Sequence, residues 1–506
     1  MFRHVLTIGG WTFASRILGF LRDMLIAAAL GAGPLGDAFF IALRLPNLFR
    51  RLFGEGAFNA AFVPAFTGML TLEGPKRARE LAERMSTLMT LWLGLLVGLG
   101  MVFMPQIMRV LTPGLADEPL RFDLVVELSR ITFPYLLFIC LTALVSGVLN
   151  AVDRFAMAAG APLLFNLLAI AALFGLTPFV ATPAHALAWG TMASGVAQLV
   201  LVVVACHKAG LGFRLLSWPR VTPETKQVVR TMLPGLVGAS ITQLSLAIDI
   251  FIASLLPAGA VSMLNYADRV AQLPLGVVGA AVGTALLPLL SRQLRAGRPL
   301  SAHRSMNRAV EMSLALTLPA AAALVVLAEP IILTLYQRGA MTEAAAQATA
   351  QALMAYACGL PAFVLVKAFA PGFFARGDTA TPVKIGLVVV VVNLSVSLTL
   401  IHVVAHVGIA LATALAAWVN TGLLCAILAR RGQWVADRRL RRNLWRLLLA
   451  SVVMAGVVGA ASAALPPATG LWRWLELGAL VMLGLATYFG LAQALGALRL
   501  REVLRR

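Results

Sequence analysis

The chain is 506 residues long, 60% of them apolar and 12% charged, with a net charge of +20. A soluble domain typically carries about 25% charged residues, so a water-soluble globular fold is excluded, and recurring apolar runs of about 20 residues point to a polytopic helical membrane protein. The runs are continuous instead of alternating with period two, which argues against a β-barrel; the basic residues sit in short connectors, where they set topology, so nucleic acid is not a partner.

The first span already breaks the apolar rule. "SRILGFLRDMLIAAALGAG" (15–33) carries Arg16, Arg22 and Asp23, and no cleavable leader is expected there. The second span holds Asp37 and Arg44, with Arg50, Arg51 and Glu55 at its end. Spans are then expected around residues 95, 140, 169, 196, 243, 276, 320, 357, 393, 418, 455 and 485, which makes fourteen with those near 20 and 43. Connectors at 74–84, 207–226, 291–308 and 429–442, with the tail 499–506, are basic; those at 114–127, 178–186, 256–260 and 465–470 are short or acid-leaning. This alternation places both termini in the cytoplasm. Basic connectors can also touch anionic lipid without binding anything else.

The second half repeats the first. "DMLIAAALGAG" (23–33) returns as "DIFIASLLPAG" (249–259), Pro64 as Pro288, "PQIMRVL" (105–111) as "PIILTLY" (330–336), and "NAVDRFAMAAGAP" (150–162) as "ARGDTATP" (375–382). The predicted fold is therefore an all-α polytopic membrane protein of 14 transmembrane helices. It has an N-lobe at 1–215 (spans 1–6), a C-lobe at 216–430 (spans 7–12) and a C-terminal helix pair at 431–506. An offset of an even number of spans gives both lobes the same orientation, related by an axis along the membrane normal, with a cavity between them.

Charges inside the membrane are costly, about 2.5–3.5 kcal/mol each on insertion scales. Arg3, Arg44, Arg50 and Arg51 can snorkel. Internal pairing is a second reading: Arg16 and Asp23 share a helix face, and Arg22 and Asp37 flank a short turn. A third is a cavity that receives an anion. Arg16, Arg22, Arg44, Arg50, Arg269 and Lys367 face only Asp23, Asp37, Asp249 and Asp268, and guanidinium matches phosphate oxygens bidentately. The surplus of cations favours the third. Pro46, Pro134, Pro234, Pro274 and Pro361 interrupt spans and are candidate bend points.

Cys140, Cys206, Cys358 and Cys425 lie in or beside apolar spans and read as inert core residues. "HVVAH" (402–406) reads as a solvated pair on a connector, and no HExxH or P-loop pattern occurs. An enzyme is not expected.

"SRILGFLRD" (15–23), "DAFFIALRLPNLFRRLFGEGAFNAAFVP" (37–64), "YADRVAQLPLGVVG" (266–279) and "APGFFARGDTATPVKI" (370–385) resemble the MurJ (MviN) lipid II flippases of the MOP exporter superfamily. The resemblance runs from about residue 7 to 430. It implies translocation of lipid II, an undecaprenyl-diphosphate-linked disaccharide-pentapeptide, across the bacterial inner membrane for peptidoglycan synthesis, by alternating access. It also implies substrate contacts by Arg16, Arg22, Arg50 and Arg269, with Asp37 as an acidic partner and Lys367 as a further cavity position; Asp23 and Asp268 adjoin this set. A sodium site at Asp249, Asn393 and Thr413 is a looser match, because Ser397 stands where a carboxylate would strengthen it. Na⁺, H⁺ or the membrane potential are the candidate couplings, and no other cofactor is implied. Membrane lipids, and peptidoglycan synthases as candidate protein partners, complete the expectation. Another lipid-linked oligosaccharide flippase and a MATE-like multidrug exporter are the competing readings; the exporter would favour cavity carboxylates over arginines. The last two helices, about 443–465 and 472–497, lie outside the repeat and suit a lipid-tail groove or simple packing.

Overall fold

The computed structural model describes residues 2–53, 57–465 and 470–497, with the side chains at 2–9, 12, 52–53, 57, 234–235, 237–242, 277, 280–281 and 284 outside the description. Glu55, the tail arginines from Arg499 to Arg506, most of the 465–470 connector, and the Arg3 and Pro234 side chains therefore lie outside it.

Regular structure in the described residues is entirely helical. The helices are α1 (Phe2–Leu30), α2 (Pro34–Phe53), α3 (Ala57–Leu72), α4 (Pro75–Val102), α5 (Met104–Leu111), α6 (Pro119–Thr132), α7 (Tyr135–Ala151), α8 (Phe155–Gly175), α9 (Pro183–Lys208), α10 (Pro223–Ser254), α11 (Ala260–Arg295), α12 (Pro299–Val326), α13 (Ala328–Tyr336), α14 (Glu343–Phe374), α15 (Ala380–Arg430), α16 (Arg438–Ala464) and α17 (Trp472–Ala494). Every expected span centre falls inside one of them. Among the described residues nine helical stretches are long and apolar enough to cross a bilayer by length and composition. One of these, α15, runs 51 residues but breaks at Val404–Ala405, where Ala405 takes φ 46°. The break leaves one helical segment around residue 393 and another around 418. His406 at this break sets Nε2 2.9 Å from the Ala348 carbonyl, and His402 is exposed.

Local chemistry fixes the helix ends. Proline opens α4, α6, α9, α10 and α12, where its missing N–H costs nothing. Thr182, Thr222, Thr342 and Asp437 cap α9, α10, α14 and α16 by accepting backbone N–H groups.

The repeat is written into these turns. α4 and α12 both have 28 residues and stop at Phe103 (φ −90°, ψ 14°) and Leu327 (φ −99°, ψ 13°). After α7, Asp153 takes φ 60° and the Arg154 N–H reaches back to Leu149 O at 2.9 Å; after α14, Gly377 takes φ 76° and Asp378 N–H reaches Phe373 O at 3.1 Å. After α9 and α15, Gly210 and Gly432 are left-handed, with Leu211 N–H on Cys206 O and Gln433 N–H on Leu428 O. The equivalent positions step from 154 to 378 and from 211 to 433, the offset at which the sequence repeats.

By contacts the chain forms two compact units, Met1–Ser262 and Met263–Arg506, dividing inside α11. In the first, α8 pairs with α9, α9 with α7, α1 lies on α8, α2 on α6, and α10 on α3. In the second, α14 pairs with α15 and α12, and α12 carries α16, which carries α17. Its larger core joins Met306, Leu314, Phe369, Phe373 and Leu428, with Trp434 edge-on to Phe369 at 5.0 Å. Association in lipid relies on close packing more than on water exclusion. A Cβ on Gly359 would stand 2.8 Å from the Ala414 Cα, so only glycine lets α14 and α15 approach this closely. All four cysteines are free; Cys140 and Cys206 are buried as expected, but Cys358 on α14 is exposed and Cys425 on α15 half-buried.

Proline within a helix frees the carbonyl four residues earlier. Two of these, and the Met101 carbonyl left open where α4 ends ahead of Pro105, are taken up by a side chain from another helix. Thr132 donates to Ala42 O (3.0 Å), freed by Pro46; Arg130 Nε donates to Met101 O (3.1 Å); and Tyr488 donates to Ala315 O (2.5 Å), freed by Pro319. In a bilayer such substitutes make kinks tolerable.

Candidate functional site

The charges on α1 are partly internal. Arg22 and Asp23 are both buried; Arg22 Nε and Nη2 donate to Asp23 Oδ1 at 3.1 and 2.6 Å, and Nη1 donates to Asn166 Oδ1 on α8 at 2.8 Å. The guanidinium also lies over the Phe165 ring at 5.0 Å. Asn166 returns a hydrogen bond from Nδ2 to Ser15 O at 2.9 Å, so one amide ties α8 to two turns of α1. The expected pairing of Arg22 with Asp37 is not the one formed. A neighbouring carboxylate and a facing helix hold this arginine instead. Arg16, on the same helix, is exposed.

Asp37 stands in the first turn of α2 and is buried. Oδ2 accepts from Gly259 N–H (2.7 Å), and Oδ1 accepts from Ser262 N–H (2.8 Å) and the Ser262 hydroxyl (2.7 Å). Arg121 Nη2 is 3.6 Å from Oδ2 and also holds Glu118. The carboxylate thus satisfies orphan N–H groups at the start of α11. A Cβ on Gly36 would stand 2.5 Å from the Ser262 hydroxyl, so glycine is required beside this clasp.

The remaining cations keep a more open setting. Arg44 is half-buried and Arg51 exposed; Arg50 places Nε 3.2 Å from Asn47 Oδ1, and Asn47 donates to Leu43 O. In the second unit, Arg269 is exposed on α11 beside Asp268, whose Oδ2 accepts from Gln272 at 2.5 Å. Lys367 is exposed on α14, with Nζ resting where a side chain on Gly279 would begin. Each unit therefore presents arginine or lysine, while Asp23 and Asp37 engage protein groups.

The three residues of the looser cation match are distributed over α10 and α15. Asp249 is half-buried on α10; Asn393 is buried and Thr413 half-buried on α15, where Thr413 donates to Ile409 O at 2.9 Å. Ser397, one turn from Asn393, is also buried. Among the described residues no three His, Cys, Asp or Glu side chains converge as metal ligands. Oxygen from one carboxylate, an amide and hydroxyls is a donor set for a hard, weakly held cation, not a transition metal.

Sequence reasoning missed Asn166, Arg121, Thr132 and Arg130. Asn166 had a signal, as a lone amide in an apolar span. The other three sit on a segment read as a connector followed by a span, and nothing local marks their partners.

The family model for lipid II flippase MurJ matches residues 26–473. A probable lipid II flippase MurJ of Rhizobium tropici is 43% identical over 503 residues, covering 98% of this chain and 94% of the relative. The lipid II flippase MurJ of Burkholderia cenocepacia is 36% identical over 462 residues, covering 90% and 89%. Among solved structures, a lipid II flippase MurJ in an inward closed conformation superposes with TM-score 0.80 at 24% identity, over 99% of both chains. An inward-facing MATE family multidrug transporter of the MOP superfamily gives 0.67 at 14% identity, over 83% and 96%. These two establish the fold alone. MurJ is a family of transporters, not enzymes, and its members are multi-pass membrane proteins. From a family match over most of its length and relatives above 30% identity along nearly all of it, this chain belongs to the lipid II flippase MurJ family.

Proposed function

We propose that the chain moves lipid II from the cytoplasmic to the periplasmic leaflet of the bacterial inner membrane by alternating access. Fourteen spans form two six-span lobes and a terminal pair, with both termini cytoplasmic. The diphosphate rests on Arg16, Arg44 and Arg50 from one lobe and on Arg269 with Lys367 from the other. The observation that carries this reading is that Arg16 and Lys367 are exposed, whereas Asp37 is engaged by Gly259 and Ser262 and Asp23 by Arg22. A multidrug exporter for cations would invert that pattern.

Arg22 then acts as a positioning residue that fixes α1 on α8. Asp37 acts as a clasp on the connector into α11, and outward opening requires its hydrogen bonds to Gly259 and Ser262 to part. A carboxylate that competes for arginine loosens the grip on the diphosphate. Coupling comes from the membrane potential, which acts on a charged headgroup with about 2.3 kcal/mol per charge per 100 mV, or from Na⁺ or H⁺ at Asp249, Asn393 and Thr413. Ser397 in place of an acid weakens the sodium reading. Peptidoglycan synthases are the proposed neighbours downstream of release.

Growth of a cell that depends on this protein tests the clamp. Arg269→Ala abolishes growth and Arg269→Lys impairs it, since lysine keeps charge but loses the fork. Normal growth of both variants, with normal amounts of inserted protein, overturns the reading.

A further inference from the structure

We propose that a hollow in the first unit holds one acyl chain of an anionic phospholipid from the surrounding bilayer. The hollow measures about 600 Å³ and is walled by Leu45, Leu48 and Phe49 of α2, Leu99 and Phe103 at the end of α4, and Ile107 of α5. Two prolines border it: Pro46 lies inside α2, and Pro105 opens α5 just after α4 ends. The carbonyls four residues before them, Ala42 and Met101, are taken by Thr132 and Arg130, two residues apart on α6. These backbone groups are thereby satisfied without any element filling the space beside them. Phe133 closes its floor against Gly100.

Its walls are apolar but for Gln106, and Leu99, Phe103 and Val110 are exposed. The same helix face in the second unit has a cover. Ala320, Ala323 and Leu327, which stand 224 residues after Leu96, Leu99 and Phe103, lie with Met454 and Tyr488 around a smaller cavity of about 170 Å³ under α16 and α17. The described residues of the first unit supply no such helix pair over that face. Hydrocarbon is the occupant that an apolar, membrane-facing slot of this size accepts.

Charge at the edge selects the headgroup. Arg130 gives Nε to Met101 O, next to Gly100 of the wall, and the residue is exposed. Arg109, between Ile107 and Val110, is exposed and stands 6.0 Å over the Phe122 ring. Glu127, the carboxylate one turn from Arg130, faces His185 at 3.3 Å. A phosphate with no neighbouring ammonium fits two arginines better than a zwitterion does.

The full chain is reconstituted in phosphatidylcholine vesicles containing phosphatidylglycerol with a diazirine at the end of one acyl chain, irradiated, and its adducts mapped by peptide mass spectrometry. Burying a few methylenes and one charged contact concentrates adducts on residues 99–111 about tenfold over Leu449 and Val452, which face lipid on α16 without a hollow. Leu48→Trp fills the slot and equalises the two faces. Arg130→Gln, which keeps a donor for Met101 O, lowers phosphatidylglycerol labelling about tenfold and leaves labelling by a phosphatidylcholine probe unchanged. Equal labelling of both faces in the unaltered protein marks the slot as ordinary lipid-facing surface. Stronger labelling by a diazirine-bearing undecaprenyl phosphate assigns it to a polyprenyl chain. Either result overturns the proposal, and neither depends on whether lipid II is transported.

Discussion

The two copies of the repeated helix, α4 and α12, have the same length, the same terminal geometry and opposite surroundings. Leu91, Leu95, Leu99, Val102 and Phe103 of α4 are exposed, whereas their counterparts on α12 include Ala315 and Leu327, almost fully buried against α16 and α17. Midway along each helix the contrast is chemical. Thr87 shares a 3.1 Å hydrogen bond with Ser217, and Ser86 reaches Leu215 O. The equivalent places in α12 and its facing segment are Glu311 and Arg439. Glu311 is buried with Asn443 at 2.5 Å, Arg439 at 3.3 Å and Arg308 in contact, and Arg308 in turn holds Asp437. One backbone plan thus carries a neutral joint in the first unit and an ionic one in the second. The ionic joint is where the terminal pair begins, so the added helices are anchored by charge at one end and by Tyr488 on the Pro319 kink further along.

The largest effect is expected from breaking that anchor. Glu311→Ala leaves the buried Asn443 amide without its acceptor and Arg439 and Arg308, both partly in solvent, without their carboxylate, which costs about 2–3 kcal/mol. It should be read as a fall in Tm of the purified protein in detergent. Replacing the joint by the first unit's version, Glu311→Thr with Arg439→Ser, should recover most of the loss; no recovery would mean the two joints are not interchangeable. Tyr488→Phe comes next, since it strands the Ala315 carbonyl freed by Pro319 and costs about 1–3 kcal/mol. Thr87→Val, which removes only the neutral joint, should cost about 1 kcal/mol. If Thr87→Val proves as damaging as Glu311→Ala, charge is not what distinguishes the two joints.

The smallest effect is a pH dependence. The Arg431 guanidinium, hydrogen-bonded at 2.6 Å, together with Thr381, holds the Asp378 carboxyl well below the usual carboxylate range. A depressed folded pKa stabilises above the unfolded value, about 4, and the contribution fades as pH falls through the folded value. The Tm difference between the unaltered protein and Asp378→Asn should therefore be flat from pH 8 to about 5 and shrink only in stronger acid. The equivalent position in the first unit is Arg154, so no matching titration is expected there.

Much of the architecture was legible in the sequence because it rests on local rules. Apolar runs, prolines and left-handed glycines fix helices and turns through nearby atoms. The site was less legible because its partners are distant along the chain. Asp37 takes backbone N–H groups at 259 and 262, which no side-chain pattern advertises. Arg22 takes its own neighbour Asp23, although adjacent residues on a helix point apart; the long arginine stem folds back because Asn166 and Phe165 receive its other side. The segment 402–406 reads as a connector between two spans, yet around the break at Ala405 helical structure resumes at once on both sides.

Binding of lipid II to the purified protein, by native mass spectrometry, tests the arginine grip most directly. Each charge-assisted phosphate contact removed should weaken retention about tenfold, so Arg16→Ala and Arg269→Ala should each do so, and their combination more, while Tyr488→Phe leaves it unchanged. Undiminished lipid II binding by the double variant would contradict the account.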